Sequence, residues 1–233
     1  MSLTKETVMK DLREQRKLQR EQENKQFILN AAEGVFAKKG FSLATMDEIA
    51  EAAQFSKATL YRYFQSKQEL FMEIILSCYD EVHKNSIKIK EKDMDSSLKL
   101  RELIRYILGY YQRKKNLTRI FILEQSAMKR MLKIDVNNQG WHSAQHPPLP
   151  PEFRKKLEEI FNVMVTIVEE GIEAGEFRRM NPQDVGCLVG ALLRGFHFKG
   201  PLQEKEISLK ESTDRIHDFV LHGIKSPAYK RGA

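Results

Sequence analysis

Apolar residues recur along this chain with the period of a helix, and no segment alternates like a strand, which predicts an all-α protein of about nine helices. Residues 5–25 carry charges of both signs with few apolar anchors, the pattern of a solvated helix or a frayed arm. Phe27, Ile28, Ala31, Ala32, Val35 and Phe36 then share one helical face. Lys38 and Lys39 complement the C-terminal dipole, and Gly40 stops the helix. Thr45 opens a second helix as its cap, with Glu48 placed to reach back in a capping box, and this helix ends near Ala53. Ser56 caps a third, running from Lys57 to Tyr63. Two short helices joined by a short turn make a helix-turn-helix.

The later pattern is helical throughout. A long fourth helix is expected from Lys67 to about Ile89, burying Leu70, Phe71, Ile74, Ile75 and Cys78, with a charged break at Lys90–Asp95. Further helices are expected at 96–113 and 117–133, then a long loop over 134–150 that ends in a proline-rich run, then a helix from Pro151 to Ala174 stopped by Gly175. Asn181 and Pro182 form a cap and first-turn pair for a helix whose Val185, Leu188, Val189, Leu192, Leu193 and Phe196 make a sustained apolar seam. Gly186 and Gly190 would let another backbone approach that helix closely. A last helix puts Ile216, Phe219, Val220 and Ile224 on one face.

Composition narrows the class. Hydrophobic residues make up 41% and charged residues 30% of 233, enough apolar material for a core and too little Gly and Pro for a low-complexity chain. Cys78 and Cys187 are too far apart for a metal-ligand spacing and read as buried, reduced thiols. With no signal-like segment or membrane-length apolar run, the chain reads as soluble and cytoplasmic. It has no phosphate-cradling glycine loop, nucleophile elbow or paired His/Glu metal motif, so neither a catalytic site, a metal nor a cofactor is expected.

The net charge of +7 is unevenly spread: residues 1–70 hold 12 bases and 10 acids (+2), residues 84–133 hold 14 and 5 (+9), and residues 134–193 hold 5 and 9 (−4). The total therefore says little about an N-terminal nucleic-acid site. Residues 54–67 say more, because Lys57, Arg62 and Lys67 occur there without an acid. The +9 segment on its own is compatible with nonspecific binding to nucleic acid or to a membrane surface. It would also suit an anionic ligand such as an acyl thioester.

Between Phe27 and Leu70, the stretches Ile28–Ala32, Phe36–Phe41, Ala44–Ala50 and Ser56–Lys67 resemble the DNA-binding domain of the TetR family of bacterial transcriptional regulators. Gly171–Phe177 (Gly-Ile-Glu-Ala-Gly-Glu-Phe) fits a pattern common in that family. One departure is Gln54, which stands in the turn where the family often has Gly. A left-handed conformation there costs a non-Gly residue about 1 kcal/mol. The resemblance implies a charged N-terminal arm or helix extension (1–24), a three-helix DNA-binding domain (25–70), a helical ligand-binding and dimerisation domain (71–225) and a flexible tail (226–233).

By this resemblance Thr45, Thr59, Tyr61 and Lys67 hold phosphates, while Lys57, Ala58, Arg62 and Tyr63 are placed to read bases. Arg62 suits guanine, and Ala58 is small enough to sit beside a thymine methyl. Ile49, Ala50, Ala53, Phe55, Leu60 and Phe64 are the domain's core. The second domain is expected to hold a small-molecule effector among Tyr106, Tyr110, Phe121, Met128, Phe161, Met164 and Phe196. It is expected to pair with a second copy through Val185, Leu188, Val189, Leu192, Ile216, Phe219 and Val220. Trp141, His142 and His146 belong to the long loop. Together these expectations describe a ligand-responsive homodimeric repressor that releases a pseudo-palindromic operator when it binds a small, largely apolar molecule.

Overall fold

The computed structural model describes residues 5–117, 151–197 and 207–224. These form eight helices and no strand: α1 (Lys5–Leu43), α2 (Met46–Ala52), α3 (Lys57–Tyr63), α4 (Lys67–Lys90), α5 (Ser96–Arg113), α6 (Pro151–Glu173), α7 (Pro182–His197) and α8 (Leu209–Ile224). The expected helix at 117–133, the loop at 134–150 with Trp141, His142 and His146, and the tail at 226–233 fall outside the described residues. α1 differs from expectation in starting far upstream of Phe27, since the charged N-terminal segment is a continuous helical extension. Gly40, at φ 77°, breaks it as its missing Cβ allows.

The chain divides into two compact units, the first running to Ile75 and the second beginning at Leu76. In the first, α1 packs on α2 and α2 on α3. Ile28, Ala32 and Phe36 of α1 are buried with Ile49, Leu60, Phe64 and Phe71. Phe36, Phe41 and Phe71 form a ring cluster with centroids 5.0–5.8 Å apart. Phe27, in contrast, is exposed and meets half-buried Phe55 edge-on.

In the second unit α5 is the central element, packed against α6, α7 and α8. Its Leu100, Leu103, Ile104 and Ile107 join Ile167 and Val168 of α6, Val185, Val189 and Leu193 of α7, and Ile216 and Val220 of α8. The Gly171–Phe177 segment locks this core. Gly175 takes φ 74°, and the Phe177 amide turns back to the Gly171 carbonyl at 2.9 Å. The Phe177 ring covers Gly171 so closely that a Cβ there would lie 2.3 Å from it. Buried Glu176 then accepts from the Ser96 and Ser97 amides, at 2.9 and 3.1 Å, and so caps α5 with a negative charge at its positive end.

A small part of the basic excess in the middle of the chain is paired inside this unit. Lys99 pairs with Glu170, Arg101 with Asp214 and Lys92 with Glu102, while Arg113 lies over the Tyr106 and Tyr110 rings. Cys187 is exposed on α7 rather than buried, and Cys78 is half-buried.

Candidate nucleic-acid interface

Local hydrogen bonds shape the helix-turn-helix. The Glu48 amide donates to Thr45 Oγ1 at 3.3 Å and the Thr45 amide to Glu48 Oε2 at 3.2 Å, which completes the capping box. Lys39 Nζ also donates to Glu48 at 2.6 Å, and that bond, followed by the Thr45 amide, holds the carboxyl below its ordinary pKa. Gln54 makes the turn at φ 55°, so this chain does place a side chain in the left-handed region. The Gln54 amide donates to Glu51 and the Phe55 amide to Ala50, both at 3.0 Å. Ser56 Oγ accepts from the Thr59 amide at 3.1 Å, starting α3.

α3 is anchored by fully buried Leu60 and turns Lys57, Ala58, Tyr61 and Arg62 outward. These four fall at i, i+1, i+4 and i+5, one face of a helix. The face offers two cations, a phenol and a methyl group, which suits phosphates at its edges and base edges at its centre. Exposed Thr45 and half-buried Thr59 flank it, with the Thr59 hydroxyl 2.8 Å from that of Ser56.

Three residues are engaged otherwise than the sequence suggests. Lys57 pairs with Asp47 of α2 at 2.7 Å, and this bond raises its pKa. An exposed pair of this kind is weak, so a phosphate can replace the carboxylate. Lys67 donates to the Ala44 and Ser42 carbonyls at 2.7 and 3.2 Å and lies over the Phe41 ring. Its ammonium therefore ties α4 to the turn between α1 and α2. Tyr63 is half-buried and its hydroxyl accepts from Asn24 of α1 at 3.2 Å. Its ring is a platform for Arg62, whose guanidinium lies 5.1 Å from the ring centre. Of the three cations between Gln54 and Lys67, Arg62 alone is without a carboxylate or carbonyl partner among the described residues. Asn24 and Asp47 escape a sequence reading because each meets its partner on another helix.

The second unit's candidates scatter. Met164 is core, with Tyr106 and Phe196 packed against it, and Phe161 lies over Gly186, 2.8 Å from where a Cβ would be. Gly190 has no comparably close neighbour. Tyr110 is buried, and its hydroxyl has no oxygen or nitrogen partner among the described residues. Burial first, then the neighbouring Cys78, pushes its pKa far up. Phe121 and Met128 lie outside the described residues. The residues expected to meet a second copy divide: Val185, Val189, Ile216 and Val220 are buried in the chain's own core and Leu192 is half-buried. Leu188 and Phe219 remain 63% and 68% exposed. The apolar seam is thus two faces, the broader one turned inward because α5 and α6 need cover.

A capped, outward-facing basic helix set on a three-helix core defines a helix-turn-helix DNA-binding protein. Residues 28–74 match the family described as bacterial regulatory proteins, tetR family. The transcriptional repressor NicS of Pseudomonas putida is 29% identical over 151 residues, 65% of this chain and 64% of that protein. The transcriptional regulator YhgD of Bacillus subtilis is 25% identical over 205 residues, 88% of this chain and 98% of that protein. Among solved structures, the fatty acid degradation regulator FadR of Bacillus halodurans superposes with a TM-score of 0.67 at 17% identity, covering 84% of this chain and 94% of that one. The Bacillus subtilis FadR complex with stearoyl-CoA gives 0.63 at 18%, covering 85% and 98%. Residues 28–74 are therefore a DNA-binding domain of the TetR type, and the relatives that the chain resembles over a longer stretch are transcriptional regulators. Among the described residues no helix is long and apolar enough to cross a membrane, and no cluster of metal-ligating side chains occurs.

Proposed function

We propose that the protein is a homodimeric repressor that releases a pseudo-palindromic operator when a small, largely apolar molecule binds its second domain. The observation that carries this reading is the outward face of α3, where Ala58, Tyr61 and Arg62 are exposed on a helix fixed by Leu60 and the Ser56 cap. Leu188 and Phe219 support pairing of two copies, since large apolar side chains left this exposed in adjoining helices gain from mutual cover. The buried Tyr110 hydroxyl, without an oxygen or nitrogen partner among the described residues, supports a ligand with a polar handle. NicS is a repressor and one FadR is seen with stearoyl-CoA, so an acyl thioester series is the first to screen.

The test is binding to a duplex selected from a random DNA pool, followed by screening for release. Specific binding exceeds random-DNA binding by at least about 1000-fold if the reading holds, and Arg62→Ala relaxes preference at one base pair by about 1–3 kcal/mol. Equal affinity for random DNA defeats it. Leu188→Glu with Phe219→Glu gives a folded monomer by sedimentation, and an unchanged assembly removes the pairing surface.

A further inference from the structure

The N-terminal extension of α1 carries a feature that the mixed signs of its sequence conceal. Arg13, Arg16, Lys17 and Arg20 fall at i, i+3, i+4 and i+7 and make one stripe along the helix. Asn24 continues the same face and is the residue that holds the Tyr63 hydroxyl. The stripe therefore runs away from the end of α3, and its cations line an open cleft of about 330 Å³ together with Arg62 and Tyr63. Five cations meet one carboxylate there, that of Glu21. Glu23 turns aside to accept from Gln19 at 2.9 Å. None of the five cations is in an ion pair among the described residues.

Packing does not explain this arrangement. Residues 12–23 are all exposed, so this stretch buries nothing and the chain's core does not require it to be helical. Like charges crowded on one face oppose the helix unless an anion faces them. That anion must be extended. The four cations of α1 are spread over about 10 Å of helix axis, too far for one small ion, whereas duplex DNA carries a charge for about every 1.7 Å of its axis. Arg62 belongs both to the outward face of α3 and to the cleft, so a duplex engaged by α3 already has one contact in the stripe.

We infer that the extension of α1 is a second DNA-contacting element, whose Arg13, Arg16, Lys17 and Arg20 hold the phosphate backbone flanking the groove that α3 enters. The inference rests on the DNA-binding reading and adds a partner surface to it. The stripe grips backbone, so it lengthens the footprint without adding sequence preference.

The experiment uses the full chain and two duplexes containing the same selected site, one with about 12 base pairs of random flank on each side and one trimmed to the site. The variant is Arg13→Ala/Arg16→Ala/Arg20→Ala. On the flanked duplex it binds 10- to 100-fold more weakly than the parent, and the slope of log affinity against log salt falls by about 3, one unit for each lost phosphate contact. On the trimmed duplex the two proteins bind alike. The corresponding triple Lys variant, which keeps the charge, retains the flank dependence. Equal binding of parent and Ala variant to the flanked duplex overturns the inference, and so does an equal loss on both duplexes. If the stripe instead serves a membrane, the Ala variant loses affinity only for phosphatidylglycerol vesicles, which also overturns it. Tyr61→Ala, outside the stripe, separates the two readings: if it leaves affinity unchanged while the stripe variant weakens binding to flanked DNA, recognition through α3 fails and the stripe stands.

Discussion

The two units close their polar groups over very different distances along the chain. In the helix-turn-helix, Thr45 meets Glu48 and Ser56 meets Thr59, each three residues apart. In the second unit Glu176 reaches back 80 residues to cap α5, Arg101 finds Asp214 at a separation of 113, and His217 meets the Ser97 carbonyl 120 residues away. A local bond forms whenever its helix forms. A remote one forms only when the fold is complete, so the second unit has fewer parts that stand alone.

That contrast can be attacked where it is strongest. Gly171→Val forces a branched side chain into the Phe177 ring and pulls Glu176 off the α5 amides. We expect a loss of about 3 kcal/mol in denaturant unfolding of the second unit, while binding to a short operator persists at temperatures where the protein stays folded. A smaller loss in the second unit than in the first would show that the remote bonds are dispensable. Lys67→Met tests one of the remote ties within the first unit, a side chain that reaches more than 20 residues back to the Ala44 carbonyl. It should cost about 1–2 kcal/mol of stability and weaken DNA binding through that loss. If the salt slope also drops by about 1, Lys67 does meet a phosphate.

Gln54→Gly works in the opposite direction. It relieves the left-handed φ and should stabilise the first unit by about 0.5–1 kcal/mol, visible as slower amide exchange in α2 and α3. The smallest effect is a pH dependence at His217. Burial lowers its pKa below the ordinary 6.5, so the unfolded chain binds the proton more readily. Stability should therefore fall as pH drops through 6.5 toward the folded value, and His217→Gln should flatten that part of the profile.

Distance along the chain also governs what the sequence discloses. α2 and α3 are legible to the residue because Thr45, Glu48 and Ser56 are both motif and bond. α5 is equally legible by its apolar face alone. The Lys57–Asp47 pair, the Lys67 tie and the Asn24–Tyr63 bond are not, since each joins residues 10 or more positions apart on different elements. The seam of α7 fails for another reason. A 3.6-residue period marks which positions are apolar, but only the packed neighbours determine that Val185 and Val189 face inward while Leu188 does not. The extension of α1 shows the same limit, because counting signs hid a stripe that spacing reveals.

α1 is also a lever. Its buried part ends near Ile28, and the helix from Lys5 to Asn24 projects beyond that anchor for about 30 Å at 1.5 Å per residue. A tilt of about 10° at the anchored end sweeps the far end through about 5 Å, more than the roughly 3.4 Å that separates successive phosphate levels on one strand. A change in packing around Ile28 too small to move α3 off its groove would thus shift the arm by more than one base pair.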